Sequence, residues 1–474
     1  MAVSEICFLD ATAMLAGIRA RQFSVVEVLT AHLEQIERVN PQVNAIVTLA
    51  ADRAMAQARA ADEALARGEW WGALHGLPVA HKDLHDTAGI RTTYGSPLFK
   101  DHVPSEDALI VERIKHAGAI TIGKTNTPEF GAGSQTFNPV FGVTRNPYDL
   151  TKTCGGSSGG AAVALACGMV PIAEGSDMGG SLRNPASFCN VVGLRPAAGR
   201  VPNWPALDGW SSISVDGPMA RTVADTALLL SAIAGPDDRS PISLQEPGSI
   251  FARPLQRDFQ GVRIAWATTL TDVPVDPRVK DIVNSQRKTF EALGCSVEEA
   301  EPDLRDANEI FRVIRAASFE SKLGGCDREF LKSTILEEID RAARLTGPQL
   351  ARAGIRRTEL YHRVRTFMGK YEFFVLPVSQ VPPFDLNQPY VTEIDGVRMG
   401  SYIDWMKSCY FISVTGNPAI SVPCGFTPEG LPVGIQIVGR HRCEWSVLQL
   451  AHAFERSTGF GKRQPDNPLT WDML

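Results

Sequence analysis

Apolar and polar positions along this chain come in short blocks whose period switches between helix-like and strand-like. Val25, Val28, Leu29, His32 and Ile36 fall at helical spacing behind Ser24-Val25-Val26-Glu27. That tetrad has the pattern of a capping box, in which the N-cap hydroxyl and the N3 carboxylate satisfy the first free amides of a helix. A second, alanine-rich helix is expected over 50–66, ending near Gly68. Short apolar runs at 78–80, 119–122 and 171–174 read as buried strands, and 111–117 and 160–167 read as helices between them. The helix over 160–167 is built of small residues, which permits close packing. Such alternation of short strands with helices predicts an α/β fold.

Further strands are expected at 262–267, 373–376, 419–423 and 433–438, the last two joined through Gly430. The charged middle, roughly 281–293 and 306–365, reads as helix, and the Pro-, Asp- and Ser-rich stretch 235–254 as a surface crossing. Strand signals flank this middle on both sides, so it is read as helical cover on one continuous sheet. The expectation is a single large α/β/α domain over 1–474, with a mixed, largely buried central sheet covered by helices on both faces. Its parts are N-terminal helices (1–70), a strand–helix core (71–235), helical cover (236–370) and closing strands and helix (371–474).

Composition narrows the class. Of 474 residues, 44% are hydrophobic and 21% charged, which suits a globular core. A formal net charge of −6 argues against a nucleic-acid-coating surface. The nine cysteines are scattered with no C-x-x-C pair, as in a cytoplasmic protein with reduced thiols. The first residues lack a charged n-region and an apolar h-region, so no secretion signal is expected. The longest apolar run, 161–173, is interrupted by Gly168 and Pro171 and is shorter than the roughly 20 residues of a membrane span.

Several motifs match without fitting their chemistry. Gly118 to Thr125 has the G-x-x-x-x-G-K-T spacing of a phosphate loop, but its interior, Ala-Ile-Thr-Ile, is strand material. Gly155 to Gly159 has the G-x-S-x-G spacing of a nucleophile elbow, yet no apolar strand precedes it. A Ser-His-Asp hydrolase using Ser157 would need His362, His441 or His452, and His452 lies on an expected helix over 445–455. His75, His81 and His85 lack a second ligand cluster, so no metal and no other cofactor is expected. Arg356, Arg357, Arg363 and Arg365 read as a solvated helix face.

What remains are two glycine-flanked serines, Ser157 in Cys154-Gly155-Gly156-Ser157-Ser158-Gly159-Gly160 and Ser181 in Gly175-Ser176-Asp177-Met178-Gly179-Gly180-Ser181. Flanking glycines free backbone N–H groups to face a ligand, which suits a hydroxyl nucleophile beside an oxyanion site. Lys82 ends an apolar strand, where burial would lower its pKa and make it a base. The local sequence equally allows Lys82 an ordinary ion pair with Asp83 or Asp86.

These patches resemble the amidase signature family, in order: Gly76 to Asp83, the Ser157 patch, and Gly175 to Ala186. The likeness continues through Gly123 to Phe130, Gly193 to Pro196, Gly217 to Asp225, Pro418 to Pro423 and Gly430 to Gln436. The resemblance implies a Ser–Ser–Lys triad. Ser181 corresponds to the nucleophile, Ser157 to a bridging serine preceded by a cis peptide bond, and Lys82 to the base. It implies an oxyanion hole from the backbone N–H groups of Met178, Gly179, Gly180 and Ser181, with Asp177 and Arg183 bracing the loop. Met178 departs from the threonine frequent in the family at that position.

The family handles amides, carbamates and glutamine, and the partner expected is a small-molecule amide. By alignment, the tRNA amidotransferase member of the family places an acidic residue near Met406 to hold a substrate amine. Apolar Met406, with Trp405, Tyr410 and Phe411 nearby, predicts a substrate without a free α-amine. Trp204 and Trp210, in one loop, are expected with Met406 and Tyr410 as pocket wall. The expected activity is hydrolysis of small to medium apolar or aryl amides, with esters and carbamates as further candidates. The alternative is an amidotransferase component that releases ammonia from glutamine with a partner protein. Homodimerisation is one option the sequence leaves open.

Overall fold

The computed structural model describes residues 3–271 and 273–465; the last nine positions of the expected closing segment lie outside them. Eleven strands form one mixed sheet. Its order runs Ile46–Leu49, Ile120–Thr125, Pro78–Lys82, Ile172–Asp177, Val215–Ala220, Val192–Arg195, Ala419–Phe426, Pro432–Gly439, Phe373–Pro377, Arg263–Trp266 and Ser296–Glu299. The strands around Pro78–Lys82 run parallel, and those from Val215–Ala220 to Phe373–Pro377 pair antiparallel. Pro78–Lys82 and Phe373–Pro377 are buried at every residue, which explains their near-continuous apolar sequence. Helices flank the sheet. Gly159–Ala166 is buried throughout and packs on the strands that carry Lys82 and Asp177, as its small side chains allow.

Local signals predicted the first elements well. Ser24 caps the helix Val25–Val43, with Glu27 N–H donating to Ser24 Oγ at 3.1 Å and Ser24 N–H donating to Glu27 Oε2 at 2.7 Å. Ile120–Thr125 is a strand, so the phosphate-loop spacing there has no loop to act in. The helical region expected over 306–365 comprises three helices, Ala307–Leu323, Ser333–Ala343 and Gly347–Met368. Gly324-Gly325 follows the first, and Thr346 starts the third with Pro348 in its opening turn, so turn residues mark the divisions within the region. Among the described residues no helix is long and apolar enough to cross a membrane.

Candidate active site

Three glycine-rich or strand-end segments meet at one end of the sheet. Lys82 closes its strand with no exposed surface. Its backbone N–H donates to Glu174 Oε1 at 2.8 Å, across 92 positions of sequence. Its ammonium nitrogen reaches three hydroxyls, Ser157 Oγ at 2.8 Å, Ser158 Oγ at 2.9 Å and Ser176 Oγ at 3.0 Å. Neither Asp83 nor Asp86 pairs with it. Asp83 accepts from the Thr93 amide and hydroxyl, and Asp86 accepts from the Tyr94 hydroxyl. Burial is the largest influence on Lys82 and pushes its pKa down to about 8, against the opposing charges of Glu174, Asp216 and Asp177.

Ser157 follows a cis peptide bond from Gly156 and is 2% exposed, and Ser181 is 8% exposed. The two segments are tied by the Ser158 N–H donating to the Ser181 carbonyl at 3.2 Å. Among the described residues nothing hydrogen-bonds the Ser181 hydroxyl, and no histidine bonds either serine. Both serines line one cavity of about 610 Å³.

The loop before Ser181 is pinned by charge. Asp177 lies buried between Arg183, with contacts of 2.9 and 3.0 Å, and Arg195 at 3.1 Å. Burial alone would raise its pKa, but Arg183 and then Arg195 hold it well below the usual carboxylate range. The same carboxylate accepts from the N–H of Gly180 at 2.8 Å and of Leu182 at 3.2 Å. Four free loop amides were expected. Gly180's is engaged by Asp177, which leaves those of Met178, Gly179 and Ser181. Gly180 has φ +126°, and a Cβ there would come within 2.7 Å of Cys409 Cβ.

His85, weighed in the sequence only as a metal ligand, lines the cavity between two carboxylates. Its Nδ1 lies 2.7 Å from Glu174 Oε2 and its Nε2 3.2 Å from Asp216 Oδ1. Burial disfavours the imidazolium, but Glu174 and then Asp216 outweigh it and raise its pKa to about 10. His81 contacts the same Glu174 at 3.5 Å, and no described cluster of His, Cys, Asp or Glu could hold a metal.

Of the four residues expected to wall the pocket, Trp204 and Met406 line the cavity. Trp210 stands 76% exposed outside it, and Tyr410 is buried behind it, stacked on Phe311 at 4.3 Å. Part of the wall is concealed in the sequence: the helix Ala307–Leu323 supplies Arg315, Ser318, Phe319 and Lys322, and Tyr94, Phe99 and Phe130 add aromatic surface. Helix periodicity located that helix but could not say which partner its polar face meets.

The chain and its fold are similar to those of known proteins. The sequence profile described as Amidase matches residues 27–448. The chain is 35% identical to an acylamidase of Rhodococcus erythropolis over 99% of each. It is also 35% identical to a glutamyl-tRNA(Gln) amidotransferase subunit of Carboxydothermus hydrogenoformans, over 97% of this chain and 99% of that one. Its fold superposes on a bacterial aryl acylamidase of the amidase signature enzymes with a TM-score of 0.89 and 27% identity, covering 96% of this chain and 97% of the other.

Proposed function

The chain belongs to the amidase family, and on that premise we propose that it hydrolyses small to medium apolar or aryl amides through an acyl-enzyme on Ser181. One observation carries the reading: a lysine without exposed surface, pushed down to about pKa 8, holds its Nζ 2.8 Å from Ser157 beneath the cavity that Ser181 lines. Neutral Lys82 accepts the Ser157 proton while Ser157 takes that of Ser181, whose oxygen attacks the carbonyl carbon. The N–H groups of Met178, Gly179 and Ser181 face the developing oxyanion; one such donor typically contributes roughly 2.7–4 kcal/mol to the transition state. The C–N bond breaks as the proton returns through Ser157 to the leaving amine. Water then hydrolyses the ester on Ser181 by the same relay. Support comes also from the named activity of the acylamidase relative.

A panel of aryl anilides, esters, carbamates and glutamine tests the proposal. Anilides are expected to turn over, and the Ser181→Ala and Lys82→Ala proteins, still folded, to lose at least about a thousandfold in kcat, in line with the loss of a unit that acts together. Equal turnover by either variant would end the relay. The amidotransferase relative favours a second reading, glutamine hydrolysis with a partner protein. Glutamine as the sole good substrate would establish that reading in place of the first. Apolar Met406, at the cavity wall beside Gly179, speaks against a bound α-ammonium.

A further inference from the structure

One wall of the cavity carries hydrogen-bond donors that lack a strong acceptor among the described residues. Arg315, Ser318 and Lys322 follow one another at helical spacing along Ala307–Leu323 and all line the cavity. Arg315 is 4% exposed. Its Nε donates to Glu338 at 3.1 Å and one terminal nitrogen to the Tyr402 hydroxyl at 2.8 Å, but among the described residues the other meets only the sulfur of Met178 at 3.5 Å. A thioether is a weak acceptor for a buried guanidinium. The Ser318 hydroxyl and the Lys322 ammonium have no hydrogen bond or ion pair among the described residues. Lys322 feels the charges of Asp216 and Asp208, yet neither is within ion-pair distance. Asp216 is held by His85 and Asn203, and Asp208 accepts the Trp210 N–H.

We propose that this helix face is an anion subsite, selecting amides that bear a carboxylate on the end remote from the scissile bond. The proposal rests on the amidase reading for the position of that bond and adds the charge of the substrate. Arg315 touches Met178, three residues from Ser181, and so marks the reacting end. Lys322 lies seven residues further, roughly 10 Å along the helix axis at the α-helical rise. A carboxylate at that remove from the carbonyl, across the aromatic surface of Phe319, Tyr94 and Phe130, would take the Ser318 hydroxyl and Lys322 ammonium as partners. Arg315, ion-paired to Glu338, adds a hydrogen-bond donor on the path and no uncompensated charge. Charge-assisted hydrogen bonds of this kind are roughly twice as strong as neutral ones, enough for about a tenfold preference at a partly exposed site.

The test compares matched 4-nitroanilides of octanoic acid and of suberic acid, the second ending in a carboxylate. A second pair, octanoyl anilide and octanoyl 4-aminobenzoate, places the charge on the leaving side. In at least one pair kcat/KM is expected to favour the carboxylate about tenfold. That ratio should collapse toward one in Lys322→Met, fall partly in Ser318→Ala, and invert in Lys322→Glu. Lys322 is exposed and unpaired, so these variants keep the fold. Preference for the neutral member in both pairs, or a ratio unmoved by Lys322→Met, overturns the subsite. Titration calorimetry with suberic acid monoamide and octanamide on Ser181→Ala decides the same question without turnover. Failure of every anilide to react would sink the hydrolase reading, while tighter binding of octanamide would sink this one.

Discussion

The carboxylate of Asp177 accepts the backbone N–H of Gly180 at 2.8 Å while two buried arginines bind its oxygens. One side chain therefore both offsets the charge of the guanidiniums and shapes the loop that presents Ser181. Asp177→Asn keeps the shape and removes the charge, leaving Arg183 and Arg195 buried together with less compensation. Breaking such a buried pair typically costs about 3–5 kcal/mol. Urea unfolding should show a loss of that order, and a loss under about 1 kcal/mol would mean that the carboxylate is not the anchor described.

Burial of Lys82 makes a signed prediction about pH. In the proposed relay the neutral amine is the base, and burial lowers its pKa to about 8, so kcat/KM should rise with pH and level off above about 9. At pH 6 it should be about a hundredfold below the plateau. Stability responds in the same direction. Between the folded value near 8 and the unfolded value near 10.4, the unfolded chain binds the extra proton. Acidification through that window therefore disfavours the fold by about 3 kcal/mol. Lys82→Met lacks this group, so the stability gap between parent and variant should move toward the variant as pH falls from about 10.5 to 8. A gap independent of pH would show that Lys82 is not desolvated.

His85 faces the two acids whose charges favour protonated Lys82, Glu174 first and Asp216 second. Its imidazolium offsets them. His85→Gln removes that positive charge, and the field of both carboxylates on Lys82 grows. The acid limb of kcat/KM should move to higher pH by about one unit, as expected for an unmasked charge at this range. A merely structural role would lower the plateau and leave the limb where it was. Glu174→Gln should move the limb the other way.

How far such details can be read from sequence depends on the distance over which they are decided. The Ser24 capping box lies within four residues, and the buried runs at 78–80 and 373–376 declare themselves by composition. Val215–Ala220 does not. It carries Asp216, Gly217 and Pro218, poor strand formers, and holds its place only because it pairs with Ile172–Asp177 on one side and Val192–Arg195 on the other. The Lys82–Ser157 contact spans 75 positions, so local pattern left Lys82 between base and ion pair, and only family resemblance set it beside Ser157. The wall from Ala307–Leu323 was hidden for a related reason: an arginine and a lysine on a helix look alike whether they face water or a cavity.

The loop after Val201 separates two tryptophans that look equivalent in sequence. Trp204 lines the cavity, its carbonyl accepts the Leu109 N–H at 2.8 Å, and the Arg239 guanidinium lies 5.1 Å from its ring centre. Trp210 is 76% exposed and lies outside the cavity lining. Contact with an aryl substrate should therefore be lost only at the first. Removing an aromatic contact of this size costs roughly 1–1.5 kcal/mol, so Trp204→Ala should raise KM for aryl anilides about tenfold with kcat little changed. Trp210→Ala should stay within about twofold of the parent. Steady-state kinetics on one anilide decides the matter: equal effects at both positions would mean that the loop closes over substrate and brings Trp210 into the wall.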